Sequence, residues 1–214
     1  MINTLINILL SYLIGSISGS LIMGKLKGID IRKLGSGNAG GTNAFRTQGF
    51  VFALAVVMID VLKGYVSAKY ISELSLINIS SWGNSELNML LCGLSAIVGH
   101  VYPIYYGFKG GKGAGAGMGM LLAIAPISLG IAILHWLCVL TLTGFVGLGT
   151  MIAASSIPIY LYVTGANAHF EYFPILSIVL ALFIIFTHRS NITRMLKGNE
   201  NQFQKIMIFK RLFS

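Results

Sequence analysis

The sequence predicts an all-α polytopic membrane protein, a bundle of about seven transmembrane helices that forms a single domain over residues 1–214. Composition supports this class: 55% of the 214 residues are hydrophobic, 10% are charged, and the mean hydropathy is +0.80. An average soluble domain carries charges at about 25% of its positions, so this chain has too few polar groups to cover a water-facing surface. Apolar stretches near the length of a bilayer span, about 20 residues, also recur along the chain.

The first three spans are predicted in the first half of the chain. The first contains Gly15 and Gly19, with Ser16 and Ser20, at four-residue spacing, which lets a neighbouring helix approach closely. Packing within the bundle is therefore expected. The first segment lacks a basic leader and a clear small-residue cleavage site, so we expect it to be retained and not removed as a signal peptide. The predicted ranges are 5–23, 51–70 and 88–106.

The apolar tract 114–187 is too long for two spans. Its roughly 74 residues suit about four short spans at the usual bilayer thickness. Turn-forming residues support four, because breaks are predicted at Pro126, at 141–149 with its threonines and glycines, and at 164–167. With the first three spans, the total is seven crossings.

Basic residues cluster in three places along the chain. Segment 25–46 holds five, the turn 107–113 holds Lys109 and Lys112, and the tail after residue 187 holds six. Short loops rich in Lys and Arg stay in the cytoplasm, so this pattern predicts an N-terminus outside and a C-terminus in the cytoplasm. The net charge of +9 is attributed mainly to this bias, and no nucleic-acid partner is expected.

Two charged side chains and both cysteines lie inside predicted spans. Asp60 and Lys63 are three residues apart in the second span. Intramembrane charges are costly unless they are paired or face a polar cavity, so this pair is a functional candidate. Cys92 and Cys138 are interpreted as small apolar residues and not as a disulfide or a metal site. No metal or cofactor is expected.

The first cytoplasmic segment, LGSGNAGGTNAFRTQG at 34–49, interleaves glycines with small polar residues. Glycine lets backbone amides approach an anion closely, and hydroxyl and amide side chains add neutral donors. Gly35, Gly37 and Gly40 match the spacing of a dinucleotide fingerprint, but no strand pattern precedes them, so the match is interpreted as accidental. The candidate site residues here are Ser36, Gly37, Asn38, Thr42, Asn43 and Arg46.

The second segment, GFKGGKGAGAGMG at 107–119, places glycines around lysines at the inner end of a helix. It is not a Walker loop, because the spacing before Lys112 is wrong and no Ser or Thr follows it. Free amides at the start of the next helix, its positive dipole end and two ammonium groups nevertheless predict a phosphate site. The alternative is a turn whose glycines serve close packing. The candidate residues are Gly110, Gly111, Lys112 and Gly113.

The third segment, THRSNITRMLKGNE at 187–200, follows the last span. His188 and Asn191 are three residues apart, so on a continuing helix they share a face and could meet one ligand. His100, near the inner end of the third helix, is the other histidine that adjoins the basic surface. We expect His135 to be buried in the middle of the bundle and His169 to lie in an outer loop, and both to be structural.

Four strings in this chain occur in the order and at the spacing of a known family: YLIGSISGSLIMGKLKGIDIRKLGSGNAGGTN, DVLKG, GHVYPIYYGFKGGKG and HRSNITRMLKGNE. Together they resemble the bacterial acyl-phosphate:glycerol-3-phosphate acyltransferase family, commonly called PlsY. The resemblance implies transfer of a fatty acyl group from acyl-phosphate to the sn-1 hydroxyl of glycerol 3-phosphate. The products would be lysophosphatidate and phosphate, in membrane phospholipid synthesis.

The resemblance further implies a multi-pass protein of the bacterial inner membrane with its active site on the cytoplasmic face and no cofactor. The implied partners are the two substrates and membrane lipid, and the sequence leaves open a soluble enzyme that produces acyl-phosphate. Ser36, Arg46, His188 and Asn191 resemble catalytic residues of the family, while Asp60 and Glu200 resemble supporting ones. The substrate-binding set is Gly37, Asn38, Thr42, Asn43, Lys63, His100, Gly110, Gly111, Lys112 and Gly113.

Three departures from the family pattern concern the acyl acceptor more than the acyl-phosphate chemistry. Gly41 stands where the family usually has Ala, and Ala116 stands where it usually has Thr, so a hydroxyl is lost. The inner loop at 144–147 lacks the family's Arg-Tyr-Val-Ser stretch, and Gly144 and Gly147 occupy its ends. A divergent paralogue that acylates another phosphorylated acceptor is therefore an alternative.

A small membrane transporter or channel is the rival class, since it would also place Asp60, Lys63 and glycine-interrupted helices in the bilayer. That class predicts polar residues along a complete path. Here they crowd one side, which favours an enzyme at the cytoplasmic surface. A lipid-binding scaffold has no positive feature in its favour.

Overall fold

The structure is a computed structural model that describes residues 2–75, 85–166 and 171–207, apart from the side chain of Lys205. Within these ranges all regular secondary structure is helical, as the sequence predicts. The α-helices are α1 (Ile2–Gly15), α2 (Gly19–Leu26), α3 (Gly41–Gln48), α4 (Phe50–Lys69), α5 (Ser85–Val101), α6 (Ala114–Ile124), α7 (Pro126–Thr143), α8 (Val146–Thr164), α9 (Phe173–Thr187) and α10 (Arg189–Leu196).

Four to six of the described helical segments are long and apolar enough to cross a membrane. α4, α5, α7 and α8 qualify alone, and the bent pairs α1–α2 and α9–α10 bring the number to six if each pair is one span. α6 has 11 residues, about 16 Å, whereas the hydrocarbon core is about 30 Å thick. The seventh crossing requires α6, so the count of seven and the orientation of the termini stay predictions.

The helices of the tract 114–187 begin and end where turn-forming residues predict. Pro126 is the first residue of α7, where its missing N–H leaves no hydrogen bond unmade. Gly144 ends α7 and Gly165 ends α8, both with a positive φ that favours glycine. Four helices, α6 to α9, therefore occupy this tract, and the prediction that all four are membrane spans stays a prediction. Asn167, in the last predicted break, and His169 lie outside the described residues.

The chain divides into two compact units, unit 1 at Met1–Ile124 and unit 2 at Ala125–Ser214. One domain over 1–214 stays a prediction. In unit 1, small residues let the helices pack closely, as expected for the first span: Gly15 lies against the backbone of Ala96, and Gly19 against Val56.

The same close packing occurs between α4 and α6 in unit 1. A Cβ at Gly64 would collide with the carbonyl oxygen of Ala116, and one at Gly119 would collide with that of Val61. The packing interpretation of the glycine segment 107–119 therefore holds for the part that lies in α6. Ala116 is fully buried at this contact.

The first span is not the single helix that the range 5–23 predicts. α1 ends at Gly15, α2 begins at Gly19, and their axes differ by 41°. Ser16 and Ser18 are fully buried at the break. The Lys63 ammonium donates to the carbonyl oxygen of Ile17 at 2.8 Å, so a charged side chain of α4 satisfies part of the interrupted backbone.

In unit 2, α7 and α8 are joined at Gly144 and Phe145, and α9 passes into α10 with a bend of 52°. Both cysteines are free thiols: Cys92 is buried in α5 of unit 1, and Cys138 is exposed on α7. His135 is exposed on α7, so the expectation that it is buried in the bundle is wrong, and its Nδ1 lies 2.9 Å from the carbonyl oxygen of Ile131 in its own helix.

Candidate active site

The side chain of Asn43 holds the first cytoplasmic segment in its conformation through hydrogen bonds. It is 1% exposed, and its Nδ2 donates to the carbonyl oxygens of Ile31 at 3.1 Å and Leu34 at 3.0 Å. Its Oδ1 accepts from the backbone N–H of Ser36 at 2.9 Å. Backbone groups thus occupy both Nδ2 and Oδ1 of Asn43. This favours a role in bracing the loop over the predicted contact with substrate.

The remaining candidates of this segment surround that brace. Gly35 and Gly37 have φ of 56° and 73°, so the loop needs glycine at both positions. Ser36 lies half-buried between them. Thr42 and Arg46 are four residues apart on α3, so both half-buried side chains lie on one face of that helix. Asn38 is half-buried in the loop before it.

Two amides of the glycine turn 110–113 are already occupied. The N–H of Gly110 donates to the carbonyl of Val101 at 3.1 Å, and that of Gly111 donates to the carbonyl of His100 at 3.0 Å. These two amides therefore do not belong to the free amides predicted at the start of the next helix, because they continue the hydrogen bonding of the end of α5.

The part of the turn that can meet an anion is its exit into α6. Gly113 has φ of 92° and turns the chain into the helix. The first intrahelical bond runs from Gly117 N to Gly113 O at 2.8 Å, so the N–H groups of 114–116 form the open end of the helix. The positive end of the helix dipole lies there, and the half-buried Lys112 precedes it.

The glycine turn lies against the first segment within unit 1. A Cβ at Gly111 would be 2.9 Å from the carbonyl oxygen of Ala39, so only glycine permits this approach. The guanidinium of Arg32, two residues before the first segment, also bonds this region, since Nη1 donates to the carbonyls of Tyr106 at 3.1 Å and Lys109 at 3.4 Å. The structure thus brings two of the three predicted motifs together.

Arg32 is a residue that the sequence analysis missed. Asp30 orients it: Nη2 lies 2.9 Å from Oδ2, and Nε lies 3.0 Å from Oδ1. Hydrogen bonding by Arg32 lowers the pKa of the Asp30 carboxyl, and the carboxylate raises the pKa of the guanidinium. The sequence signal was the acid–base spacing at 30 and 32, which is common in loops and points to no acceptor by itself.

Asp60, Lys63 and His100 form a buried cluster beneath the turn. Lys63 Nζ and His100 Nδ1 lie 3.0 Å and 3.3 Å from Oδ1 of Asp60, and each residue is between 2% and 5% exposed. The predicted role of Lys63 and His100 in substrate binding stays a prediction. Their bonds to the chain favour a bracing role instead.

In unit 2, His188 stands at the bend between α9 and α10. The prediction that it continues a helix with Asn191 is wrong, because α9 ends at Thr187 and His188 caps both helices. Its Nδ1 lies 2.8 Å from the carbonyl oxygen of Ile184. A carbonyl only accepts, so the proton of the neutral ring is on Nδ1, and Nε2 is the basic nitrogen.

Asn191, the next candidate of unit 2, is held by Glu200. Asn191 Nδ2 donates to Oε1 of Glu200 at 2.9 Å, and Arg194 Nε donates to Oε2 at 2.6 Å. The Glu200 side chain is 2% exposed although it belongs to the tail after α10. Glu200 therefore fixes the orientation of the side-chain amide of Asn191.

The glycines that depart from the family pattern in unit 2 make room for these elements. A Cβ at Gly147 would be 2.6 Å from Nδ2 of Asn191. Gly144, with φ of 73°, accepts a hydrogen bond from Phe203 N at 2.9 Å through its carbonyl oxygen, so the tail crosses the inner loop here. Among the residues that the structure describes, no three His, Cys, Asp or Glu side chains are grouped to hold a metal.

Comparison with known proteins assigns the family. Residues 5–198 match the family model described as glycerol-3-phosphate acyltransferase. The chain belongs to this family. Glycerol-3-phosphate acyltransferases of Chlorobaculum parvum and Aquifex aeolicus are 40% and 35% identical to it. The alignments cover 94% and 92% of this chain and 97% of each relative.

Solved structures agree with this assignment. The crystal structure of PlsY (YgiH), an integral membrane glycerol 3-phosphate acyltransferase in its glycerol 3-phosphate form, has a TM-score of 0.82 with this chain. The sequences are 34% identical over 99% of each chain. The lysophosphatidic acid form of PlsY has a TM-score of 0.79 and covers 94% of this chain. The chain is thus a helical, multi-pass membrane protein of the PlsY family.

Proposed function

We propose that this protein transfers a fatty acyl group from acyl-phosphate to the sn-1 hydroxyl of glycerol 3-phosphate. Membership of the glycerol-3-phosphate acyltransferase family supports acylation of this acceptor. The observation that carries the proposal is the contact of the glycine turn with the loop of Ser36 at Ala39 and Gly111. In unit 1, this contact brings together the N-terminal end of α6, Lys112 and the face of α3 that carries Arg46. This set of groups suits the binding of a phosphate.

The reaction asks little covalent chemistry of the protein. The acceptor hydroxyl oxygen attacks the acyl carbon, the bond from that carbon to the phosphate oxygen breaks, and inorganic phosphate leaves with the electron pair. The proton of the hydroxyl passes to His188 Nε2 or to a phosphate oxygen. Since the donor is an activated anhydride, the main tasks are to orient two anions and to stabilise the developing oxyanion.

Each candidate residue has a role that fits its geometry. We assign phosphate binding to Lys112, Arg46 and the amides at the start of α6, and a hydrogen bond to substrate to Ser36. In unit 2, His188 presents a basic Nε2, and Asn191 is oriented by Glu200 to present the oxygen of its amide. We propose that both residues contact substrate. The hydroxyls absent at Ala116 and Gly147 leave a related phosphorylated polyol as a second acceptor candidate.

A transporter is disfavoured by how the broken first span is completed. Broken helices of transporters leave backbone groups and charges for substrate and ions. In unit 1 the break is bonded by Lys63 and Asp60, which also neutralise one another. The charge pair of α4 thus has a structural explanation that requires no transported ion.

The test is acyl transfer by the purified protein. Labelled acyl-phosphate or acyl-CoA is supplied with glycerol 3-phosphate or with a panel of other phosphorylated polyols. We expect lysophosphatidate only from acyl-phosphate and glycerol 3-phosphate. Equal rates with acyl-CoA would contradict the assigned donor. A faster rate with another polyol would replace the acceptor.

The proposed site lies on the cytoplasmic face of a bacterial inner membrane, with the N-terminus outside. In a background carrying Cys92→Ala and Cys138→Ala, a membrane-impermeant thiol reagent should label Leu74→Cys in intact cells. It should label Leu34→Cys only after the cells are opened. Labelling of Leu34→Cys in intact cells would refute this orientation.

A further inference from the structure

Three ionisable side chains are buried in unit 1 away from any step of the proposed reaction. Asp60, Lys63 and His100 are 2%, 5% and 3% exposed. Burying charges in a membrane protein is costly, so such groups are expected to have a specific structural or functional role. The contacts that these three side chains make with other parts of the chain show which elements they position.

The Asp60–Lys63 pair of α4 caps both sides of the break in the first span. Lys63 Nζ donates to the Ile17 carbonyl, just past the end of α1, at 2.8 Å, and Asp60 Oδ1 accepts from the N–H of Gly19, the first residue of α2, at 3.3 Å. A cation thus lies at a helix C-terminus and an anion at a helix N-terminus, which is the favourable sense for both dipoles. The pair is thus bonded to the chain on both sides of the break.

His100 connects the Asp60–Lys63 pair to the glycine turn. Its Nδ1 edge faces Oδ1 of Asp60 at 3.3 Å, so its opposite edge points away from the pair. That edge lies under Gly111: a Cβ there would be 2.9 Å from Cε1 and would collide with Nε2. The carbonyl of His100 also accepts from the N–H of Gly111 at 3.0 Å.

Asp60 touches the other side of the turn as well. A Cβ at Gly115, in the first turn of α6, would lie 2.8 Å from Cβ of Asp60. The same side chain therefore contacts the start of α2, His100 and the start of α6. Gly111 in the glycine turn and Gly115 in the first turn of α6 thus both contact one cluster.

We propose that Asp60, Lys63 and His100 form a brace that sets the position of the glycine turn, so that they are positioning residues and do not contact substrate. The inference rests on the proposed function, since it takes the turn to bind the phosphate of the acceptor. A small displacement of a binding group can lower the affinity for substrate substantially even when the chemical groups are intact.

The first test compares two substitutions at His100. His100→Gln places an amide near the position of Nε2 and supports Gly111, whereas His100→Asn keeps a donor near Asp60 but leaves a gap under the turn. We expect His100→Asn to raise KM for glycerol 3-phosphate about tenfold with kcat changed less than about threefold, and His100→Gln to restore most of the affinity. Cys92→Ala, a buried change on the same helix, is the control.

A second pair of variants leaves Asp60, Lys63 and His100 unchanged. Gly115→Ala presses on Asp60, whereas Gly117→Ala meets only Cδ1 of Ile97 at 3.8 Å, an ordinary contact. Both substitutions add one methyl to α6. We expect only Gly115→Ala to raise KM, and this pair serves if His100→Asn does not yield folded protein.

Hydrogen exchange of the peptide 101–117 provides a readout that does not depend on activity. Exchange of the Gly110 and Gly111 amides should be faster in His100→Asn and Gly115→Ala than in the controls. Unchanged exchange and KM in both variants would overturn the brace. A loss in kcat alone, equal in His100→Gln and His100→Asn, would also overturn it by indicating direct participation. Wild-type protein that fails to acylate glycerol 3-phosphate would refute the proposed function, while exchange would still decide the brace.

Discussion

The side-chain amide of Asn191 donates to Oε1 of Glu200 at 2.9 Å, although Glu200 lies beyond the helix that carries Asn191. Glu200 is in the tail beyond α10, and its other oxygen accepts from Nε of Arg194 at 2.6 Å. This carboxylate is buried to 2% exposure, so both hydrogen bonds are shielded from solvent. The orientation of Asn191 thus depends on a residue outside its helix.

Glu200→Gln should reduce activity and stability together. The substitution removes a charge-assisted bond to Arg194 and can turn an NH₂ group toward Nδ2 of Asn191. Hydrogen bonds to charged groups contribute about 1.5–3 kcal/mol, so we expect unfolding of unit 2 to begin several degrees lower and activity to fall about tenfold. Thermal unfolding in detergent and kcat measure the two effects. Glu73→Gln, at an exposed glutamate, is the control, and an equal effect there would contradict this assignment.

The Asp30–Arg32 pair should give stability that disappears in acid. The ordinary carboxyl pKa is 3.8, and Arg32 lowers it in the folded protein by hydrogen bonding to Asp30. A depressed folded-state pKa means that the contribution is complete above the unfolded value and is lost as pH falls through the folded value. We expect wild type to be more heat-stable than Asp30→Asn at pH 6, and the difference to shrink as pH falls below the ordinary carboxyl value of 3.8 and to vanish once it has passed the lowered folded-state pKa. A difference that is constant across this range would show that the carboxylate charge is not involved.

Gly111→Ala should chiefly raise KM for the phosphorylated acceptor. A methyl group there would collide with Nε2 of His100 and approach the Ala39 carbonyl, so the turn must move. The reacting groups themselves are unchanged, and kcat should therefore fall less than KM rises. Gly130→Ala, where the added methyl meets nothing within 4 Å, should leave both constants unchanged. Collapse of kcat at constant KM would instead assign the turn a role in chemistry.

The sequence predicted the helix ends in unit 2 better than those in unit 1. Gly144 and Gly165 end helices through local conformation, which a sequence records directly. The break after Gly15 lies inside the range predicted as one span, and side chains of α4 more than 40 residues away bond across it. Local patterns do not specify such a partner. The hydropathy argument therefore predicted one span and missed the bend.

The same distinction applies to the candidate site. Its three segments could be found from composition, because glycines, hydroxyls and basic residues are clustered in sequence. Which atoms are occupied could not be found: the Gly110 and Gly111 amides bond α5, and the acceptors of Arg32 lie 74 and 77 residues further along the chain. These bonds are tertiary and leave no spacing signal.

His188→Asn separates positioning from proton transfer at the bend of unit 2. His188 Nδ1 donates to the Ile184 carbonyl at 2.8 Å, and an Asn amide can keep this bond because its nitrogen occupies a similar place. Asn has no atom that replaces Nε2, so the substitution removes the basic nitrogen alone. His188→Ala, which also loses the bond to Ile184, is expected to lower thermal stability more than His188→Asn does.

General-base catalysis typically contributes about 10²–10⁴-fold to a rate. We expect His188→Asn to lower kcat by about 10², at the lower end, with KM for glycerol 3-phosphate within about threefold of wild type. The physical reason is that an acyl-phosphate has a good leaving group and that phosphate oxygens of the substrates offer another route for the proton. The kcat–pH profile decides between the two roles: the acidic limb should persist in His188→Asn if a phosphate takes the proton. A loss near 10⁴ with that limb abolished and substrate binding intact would instead make the histidine the principal base.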